Sequence, residues 1–209
     1  MTDDESSAVA LLMIDVVNAF DFPDCEGIVQ AAARAAPHIL ALRERAHLAG
    51  IPVIYVNDNF GQWRSDFRTT VSACSASNKP GHQVTRLLVP TDRDYFVLKP
   101  RHSAFYCTTL EVLLERLEVR TLVLVGFATN ICVLYTASDA HMRGYSVVVP
   151  RDCTASNTQE LTDQALEQMR MVTNARTSAS LELDLSALCQ EANRGTAVAT
   201  KSSPPSGKS

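Results

Sequence analysis

The chain has 209 residues, of which 46% are apolar and 20% are charged, and its formal net charge is −4. This length suits one domain with an ample core, and the charge gives no indication of nucleic-acid binding. The sequence contains no apolar run of about 18 residues, so we expect no membrane partner.

Apolar runs and helical spacing alternate along the chain and predict six strands and six helices. The predicted strands lie near Ala8–Ile14, Val53–Asn57, Asp94–Leu98, Thr121–Val125, Ser146–Val149 and Ser178–Leu181. The predicted helices lie near Ile28–Ala49, Gly81–Leu88, Thr109–Leu117, Ile131–Arg143, Glu160–Val172 and Leu185–Ala192. Strand–helix alternation predicts an α/β fold, a Rossmann-like three-layer α-β-α sandwich with a mainly parallel six-stranded sheet.

We expect one domain over residues 1–193, followed by a disordered tail over 194–209 that is rich in Ser and Pro. The polar residues 1–7 do not resemble a secretory signal, so the expected compartment is the cytoplasm. The six cysteines form no Cys-x-x-Cys pair and are expected to be reduced thiols. No Gly-x-Gly-x-x-Gly follows the first predicted strand, so a dinucleotide cofactor is not indicated.

The segment 123–133 reads as a buried strand that ends at Gly126, a tight turn, and Cys132 in the first turn of a helix. Unpaired N–H groups and the helix dipole there favour thiolate over thiol, and thiolate is the nucleophile. The alternative is that Cys132 is a small core residue, as most free cysteines are.

Two other predicted strands end in charged residues, Asp15 and Lys99. Parallel α/β sheets bind ligands at the carboxyl ends of their strands, so these side chains and Cys132 are expected to share one crevice. A nucleophilic Cys needs a base and a cation, and the other two residues suit those roles. Alternatively, Asp15 caps a helix and Lys99 is a solvated charge at a strand end.

The chain resembles the isochorismatase-like cysteine hydrolase superfamily in three groups of residues. They are Asp15, Asn18 and Phe20; Lys99, Ser103, Ala104 and Phe105; and Gly126, Thr129, Cys132 and Val133. The resemblance covers about residues 8–183 and implies that Asp15, Lys99 and Cys132 are catalytic. It also implies a cis peptide between Phe127 and Ala128, which aims the N–H of Ala128 beside that of Cys132 to form an oxyanion hole.

By this resemblance the protein is a hydrolase of C–N bonds in a small amide, ureido or carbamoyl compound, and it acts through a thioester. The small-molecule substrate is the expected partner, and no nucleic acid is expected. Two alternatives stay open at this point. One is an isochorismatase-type vinyl-ether hydrolase, which can lack the nucleophilic Cys, and the other is a catalytically silent binding protein of the same fold.

Two departures from the family pattern affect the substrate site. Val17 stands where many members have Gln, so one polar contact in the pocket is expected to be missing. Nicotinamidases hold a metal with Asp and His after the second strand, whereas this chain has Asp58 and no His over residues 57–63. A lone Asp cannot build a site rich in His, so neither a metal nor another cofactor is expected.

Aromatic residues near the three catalytic candidates are expected to line the substrate pocket, although core packing is an alternative for each. They are Phe20, Phe60, Trp63, Phe105 and Phe127. We also expect a homo-oligomer, a dimer or tetramer, both from the resemblance and from an apolar face on the helix after Cys132. The residues of this face are Ile131, Leu134, Tyr135, Ala137 and Ser138, and helix spacing alone does not distinguish oligomer contact from packing on the sheet.

Overall fold

One sheet of parallel strands organises the computed structural model, which describes residues 6–64 and 66–199. The strands of this sheet are β1 (Val9–Ile14), β2 (Val53–Asp58), β3 (Tyr95–Lys99), β4 (Thr121–Phe127), β5 (Ser146–Val148) and β6 (Thr154–Ala155). They are ordered β3-β2-β1-β4-β5, and β6 pairs with the end of β4. Because β1 and β4 are buried along their whole length, they read as continuous apolar runs.

Seven α-helices in the described residues cover the two faces of the sheet. They are α1 (Glu26–Leu48), α2 (Phe67–Cys74), α3 (His82–Leu87), α4 (Leu110–Arg116), α5 (Leu134–Met142), α6 (Gln159–Thr173) and α7 (Leu185–Ala199). One apolar core joins α1, α2, α3 and the start of α7 to the sheet, and a second core joins α4, α5 and α6 to the other face. The predicted three-layer α/β fold with a six-stranded sheet is confirmed.

The predicted strand over Ser178–Leu181 is wrong. A 3₁₀ turn occupies Ser180–Glu182 instead, and the sixth strand is β6. The carboxylate of Asp152 accepts hydrogen bonds of 2.7 Å from both the N–H and the hydroxyl of Ser180. These bonds satisfy the backbone locally, so this segment does not pair with a strand.

Helix α2 is not among the helices predicted from the sequence. Its N-cap is Asp66, whose carboxylate accepts a 2.7 Å hydrogen bond from the N–H of Thr69. At the other end of the chain, α7 continues to Ala199, so its last turns fall within the expected disordered tail. The rest of that tail, 200–209, lies outside the described residues.

All six cysteines are unpaired, as expected from their spacing. Among the described residues, none of the helices combines the length and apolar character that crossing a bilayer requires.

Candidate active site

The carboxyl ends of the strands bring together the three residues that the sequence singled out. Asp15 follows β1, Lys99 ends β3, and Cys132 lies in a π-helical turn (Thr129–Val133) that connects β4 to α5. The order of the sheet reverses between β1 and β4, and ligands of open α/β sheets bind at such a reversal. Strand β2 lies between β1 and β3, so its last residue, Asp58, reaches the same place.

The ammonium of Lys99 is the centre of this cluster and is fully buried. Its Nζ lies 2.8 Å from Oδ2 of Asp15 and 3.5 Å from Sγ of Cys132. It also donates to the carbonyl of Arg101 at 3.2 Å and lies 3.9 Å from Oδ2 of Asp58. A buried cation of this kind is stable only when it is paired, and here the carboxylates supply that pairing.

Asp15 has a φ of 51°, a conformation that Asp tolerates better than most residues and that turns the chain sharply after β1. Its Oδ1 accepts a 2.8 Å hydrogen bond from the N–H of Asp58, so both carboxylate oxygens are engaged. Burial raises the pKa of Asp15, and the neighbouring charge of Lys99 opposes this effect only in part. A carboxylate with a raised pKa is a better proton acceptor.

Burial, reinforced by the charge of Asp15, raises the pKa of Cys132 to about 12 even though Lys99 acts to lower it. The position of Cys132 in the first turn of a helix was expected to favour the thiolate, and burial and the charge of Asp15 act in the opposite direction. Burial also acts to lower the pKa of Lys99, but the charge of Asp15 and its hydrogen bond act in the opposite direction, and the net shift is upward. The ammonium of Lys99 therefore stays charged beside Asp15 and Cys132.

The turn before Cys132 contains the expected cis peptide bond between Phe127 and Ala128. The carbonyl of Ala128 accepts hydrogen bonds from the N–H groups of Ile131 and Val133, at 3.1 and 3.2 Å. This fixes the orientation of the peptide that follows Ala128. It also starts the turn that carries Cys132.

Side chains of β6 and of the residue that follows it hold the same turn in place. The hydroxyls of Thr129 and Thr154 lie 2.8 Å apart, and Thr154 also donates to the carbonyl of Gly126 at 2.9 Å. Ser156 donates its hydroxyl to Asn130 at 2.8 Å. Sequence reasoning missed this clamp, because nothing in the spacing of these residues pairs them.

Gly126 lets β4 approach β1 closely beside the site. It has a φ of 120° and pairs with Ile14, and a Cβ there would collide with the carbonyl oxygen of Ile14. Only glycine fits such a position. The glycine of the family pattern thus sets the spacing of the two strands that carry Asp15 and Cys132.

The aromatic residues separate into three environments. Phe20 and Phe127 are buried with ring centroids 5.9 Å apart, in the core formed with α1. Phe60 and Trp63 are exposed, by 44% and 78%, on the loop after β2. Phe105 is buried in the opposite core, under the guanidinium of Arg143, so the sheet separates it from Phe20 and Phe127.

Two polar residues at the end of β2 were underestimated from the sequence. The buried amide of Asn57 accepts from the N–H of Val17 at 3.2 Å and donates to its carbonyl at 2.6 Å, which holds the chain after Asp15. The side chain of Val17 is itself buried in the core. Asp58 had been considered only as a metal ligand, yet it contacts both Asp15 and Lys99. The signal was available, since a polar residue also ends this apolar strand.

The donor set offers little to a metal ion. Among the described residues, no group of three or more His, Cys, Asp and Glu side chains is arranged to hold one. The carboxylates of Asp15 and Asp58 instead face the ammonium of Lys99.

Comparison with known proteins identifies the family of the chain. A family model described as the isochorismatase domain matches residues 9–180, and the chain belongs to the isochorismatase family of hydrolases. It is 43% identical over 163 residues to the uncharacterised isochorismatase family protein YaaI of Bacillus subtilis, covering 78% of this chain and 89% of that one.

Two further relatives carry names that state an activity. The chain is 29% identical over 181 residues to the ureidoacrylate amidohydrolase RutB of an Enterobacter species, covering 75% of this chain and 79% of that protein. The crystal structure of N-carbamoylsarcosine amidase from Thermoplasma acidophilum is similar with a TM-score of 0.64 and 26% identity, covering 84% and 98% of the two chains.

Proposed function

We propose that this protein is a cysteine-dependent amidohydrolase that cleaves a C–N bond in a small amide, ureido or carbamoyl compound through a thioester. The observation that carries the proposal is the contact of one buried ammonium, that of Lys99, with both Asp15 at 2.8 Å and the sulfur of Cys132 at 3.5 Å. Relatives named as an amidohydrolase and an amidase support the choice of bond.

The reaction begins with transfer of the Cys132 proton to Asp15, whose raised pKa suits it as the acceptor. Transfer to Asp15 is needed because burial and the charge of Asp15 raise the pKa of the Cys132 thiol to about 12. Lys99 offsets the negative charge that develops on sulfur. The sulfur then attacks the carbonyl carbon of the substrate.

The carbonyl oxygen becomes an oxyanion, which the N–H groups of Ala128 and Cys132 bind in this mechanism. Removing one donor of an oxyanion hole typically costs about 10²–10³ in rate. Protonated Asp15 gives its proton to the leaving amine, and the C–N bond breaks. Water then hydrolyses the thioester with Asp15 as the base, which restores the free thiol.

A screen for ammonia or amine release tests the proposal, with small amides, ureas and carbamoyl compounds as substrates. We expect turnover of at least one class, and its loss in Cys132→Ala. Release of pyruvate from isochorismate without amide turnover would indicate vinyl-ether chemistry instead. Absence of any turnover, together with tight binding of one compound, would indicate a silent binding protein.

We also propose, from the sequence, that the protein is cytoplasmic and forms a homo-oligomer.

A further inference from the structure

Asp58 is the one charged side chain in contact with the Asp15–Lys99 pair, among the described residues, that the proposed mechanism does not use. Its side chain is 34% exposed, whereas that of Lys99 is fully buried. Its Oδ1 accepts a 2.6 Å hydrogen bond from the N–H of Phe60, and its Oδ2 lies 3.9 Å from Nζ of Lys99. This second oxygen lies beyond ordinary hydrogen-bond length from that ammonium and retains capacity to accept.

The charges of the cluster are unbalanced. Two carboxylates, Asp15 and Asp58, face one ammonium, that of Lys99. The sulfur of Cys132 and Oδ2 of Asp58 lie 3.5 and 3.9 Å from the same Nζ of Lys99, so the second carboxylate lies near the reacting atom. The side chain of Arg101 is exposed to solvent, where its charge is screened.

We propose that Asp58 is a specificity-determining residue, selecting substrates that place an N–H donor or a positive charge next to the scissile carbonyl. An unsubstituted carboxamide, a ureido NH₂ or an ammonium meets this requirement, since an ionised carboxylate only accepts hydrogen bonds. An anion at the same position is repelled. This inference rests on the proposed function, but the experiment that tests it does not require turnover.

The test uses two small thiol reagents of opposite charge, 2-aminoethyl and 2-sulfonatoethyl methanethiosulfonate. In either case the sulfur of Cys132 attacks the reagent's sulfenyl sulfur, a disulfide forms, methanesulfinate leaves, and the thiol proton passes to Asp15 and then to buffer. Rates at Cys132 are read by peptide mass spectrometry at low salt. Cys107, an exposed thiol, is the internal reference.

The variant is Asp58→Asn, which keeps the backbone N–H to Asp15 and an oxygen for Phe60. We expect the cation-to-anion rate ratio at Cys132 to fall about tenfold, the lower range for charge focusing in a cleft, and the ratio at Cys107 to stay unchanged. Asp58→Glu should restore much of the preference. Asp92→Asn is the matched control, because Asp92 is exposed before the amino end of β3, whereas Lys99 lies at its carboxyl end.

An unchanged ratio at Cys132 in Asp58→Asn would overturn the proposal. So would failure of both reagents to reach Cys132 in the wild type, because a site closed to them cannot bind a substrate beside Asp58. If the amide screen fails while the ratio responds, the proposed function is wrong and the role of Asp58 in selecting charge stands. If both respond, KM for an amide with an NH₂ group should rise in Asp58→Asn more than kcat falls.

Discussion

Burial and charge act in opposite directions on the carboxylate of Asp15, and this opposition makes it a usable base. Burial raises its pKa, and Lys99 keeps enough of the ionised form to accept a proton. The same burial makes Cys132 a thiol with a pKa of about 12. In the proposed mechanism the nucleophile is generated by proton transfer within the site and not by exchange with solvent.

The structure excludes a helix-capping role for Asp15, because the first helix begins at Glu26 and the Asp15 carboxylate bonds the N–H of Asp58 and Lys99. Replacing Asp15 with Asn keeps an oxygen for the N–H of Asp58, so a purely structural role predicts nearly normal behaviour. A base predicts a folded variant with turnover reduced at least about 10²-fold, the low end for acid–base catalysis. Circular dichroism and steady-state turnover, measured on the same preparation, check this. Near-normal turnover would remove Asp15 from the mechanism.

The dependence of kcat/KM on pH tests the direction of the shift in the pKa of Asp15. The base works only when ionised, so kcat/KM should fall as pH drops through the pKa of Asp15, which burial places above the ordinary value of 3.8. Lys99→Met should move this acidic limb to higher pH, because the variant loses the charge that lowers the pKa. An acidic limb that stays in place would contradict the assignment.

At the scale of elements, the junction of β1 and β4 determines where Asp15 and Cys132 meet. Gly126→Ala places a Cβ against the carbonyl of Ile14, and overpacking of this kind costs about 1–3 kcal/mol. We expect a lower urea midpoint with little change in m-value. Gly144→Ala is the control, since Gly144 also has a positive φ, of 84°, but has open space around its Cα. Equal losses in the two variants would show that backbone strain, not the collision, dominates.

Elements with a strong sequence pattern could be predicted, and elements without one could not. Strands β1 and β4 are buried apolar runs and were placed from the sequence. Strand β6 has only two residues, too few to show an alternating pattern. The segment predicted as the sixth strand, 178–181, is instead held by the hydrogen bond from Ser180 to Asp152. The elements that carry the catalytic candidates were predictable, but the upward shift in the pKa of Cys132 was not, since burial and the neighbouring Asp15 arise only in the folded chain.

The helical face after Cys132 that was predicted to contact a second copy contains both buried and exposed residues. Ala137 is buried against the sheet, so that part of the predicted interface belongs to the core. Ile131, Tyr135 and Met142 are exposed by 38%, 56% and 73% and lie on one side of the helix. This exposed stripe is what a second copy would cover.

We therefore expect light scattering to give a multiple of the 22.8 kDa chain mass at micromolar concentration. Tyr135→Glu should lower that mass, because a charge in the centre of an apolar interface is costly. Leu48→Glu, at an exposed position at the end of α1, is the control and should not. A monomer mass for the unmodified protein would refute the expectation.

The donor set predicts that metal chelation leaves turnover unchanged. The loop after Asn57 offers carboxylates without histidines, and transition-metal sites in hydrolases usually need both. Dialysis against EDTA followed by assay checks this. Loss of activity that zinc or manganese restores would overturn the prediction.

Turnover of Cys132→Ala, on whichever amide the wild type hydrolyses, tests whether Cys132 forms the covalent bond to substrate. We expect a loss of at least about 10³-fold, since removing a nucleophile leaves only the contribution of binding and the oxyanion hole. Cys107→Ala, at an exposed thiol, should keep wild-type turnover. Comparable turnover in Cys132→Ala and Cys107→Ala would show that Cys132 is not the nucleophile.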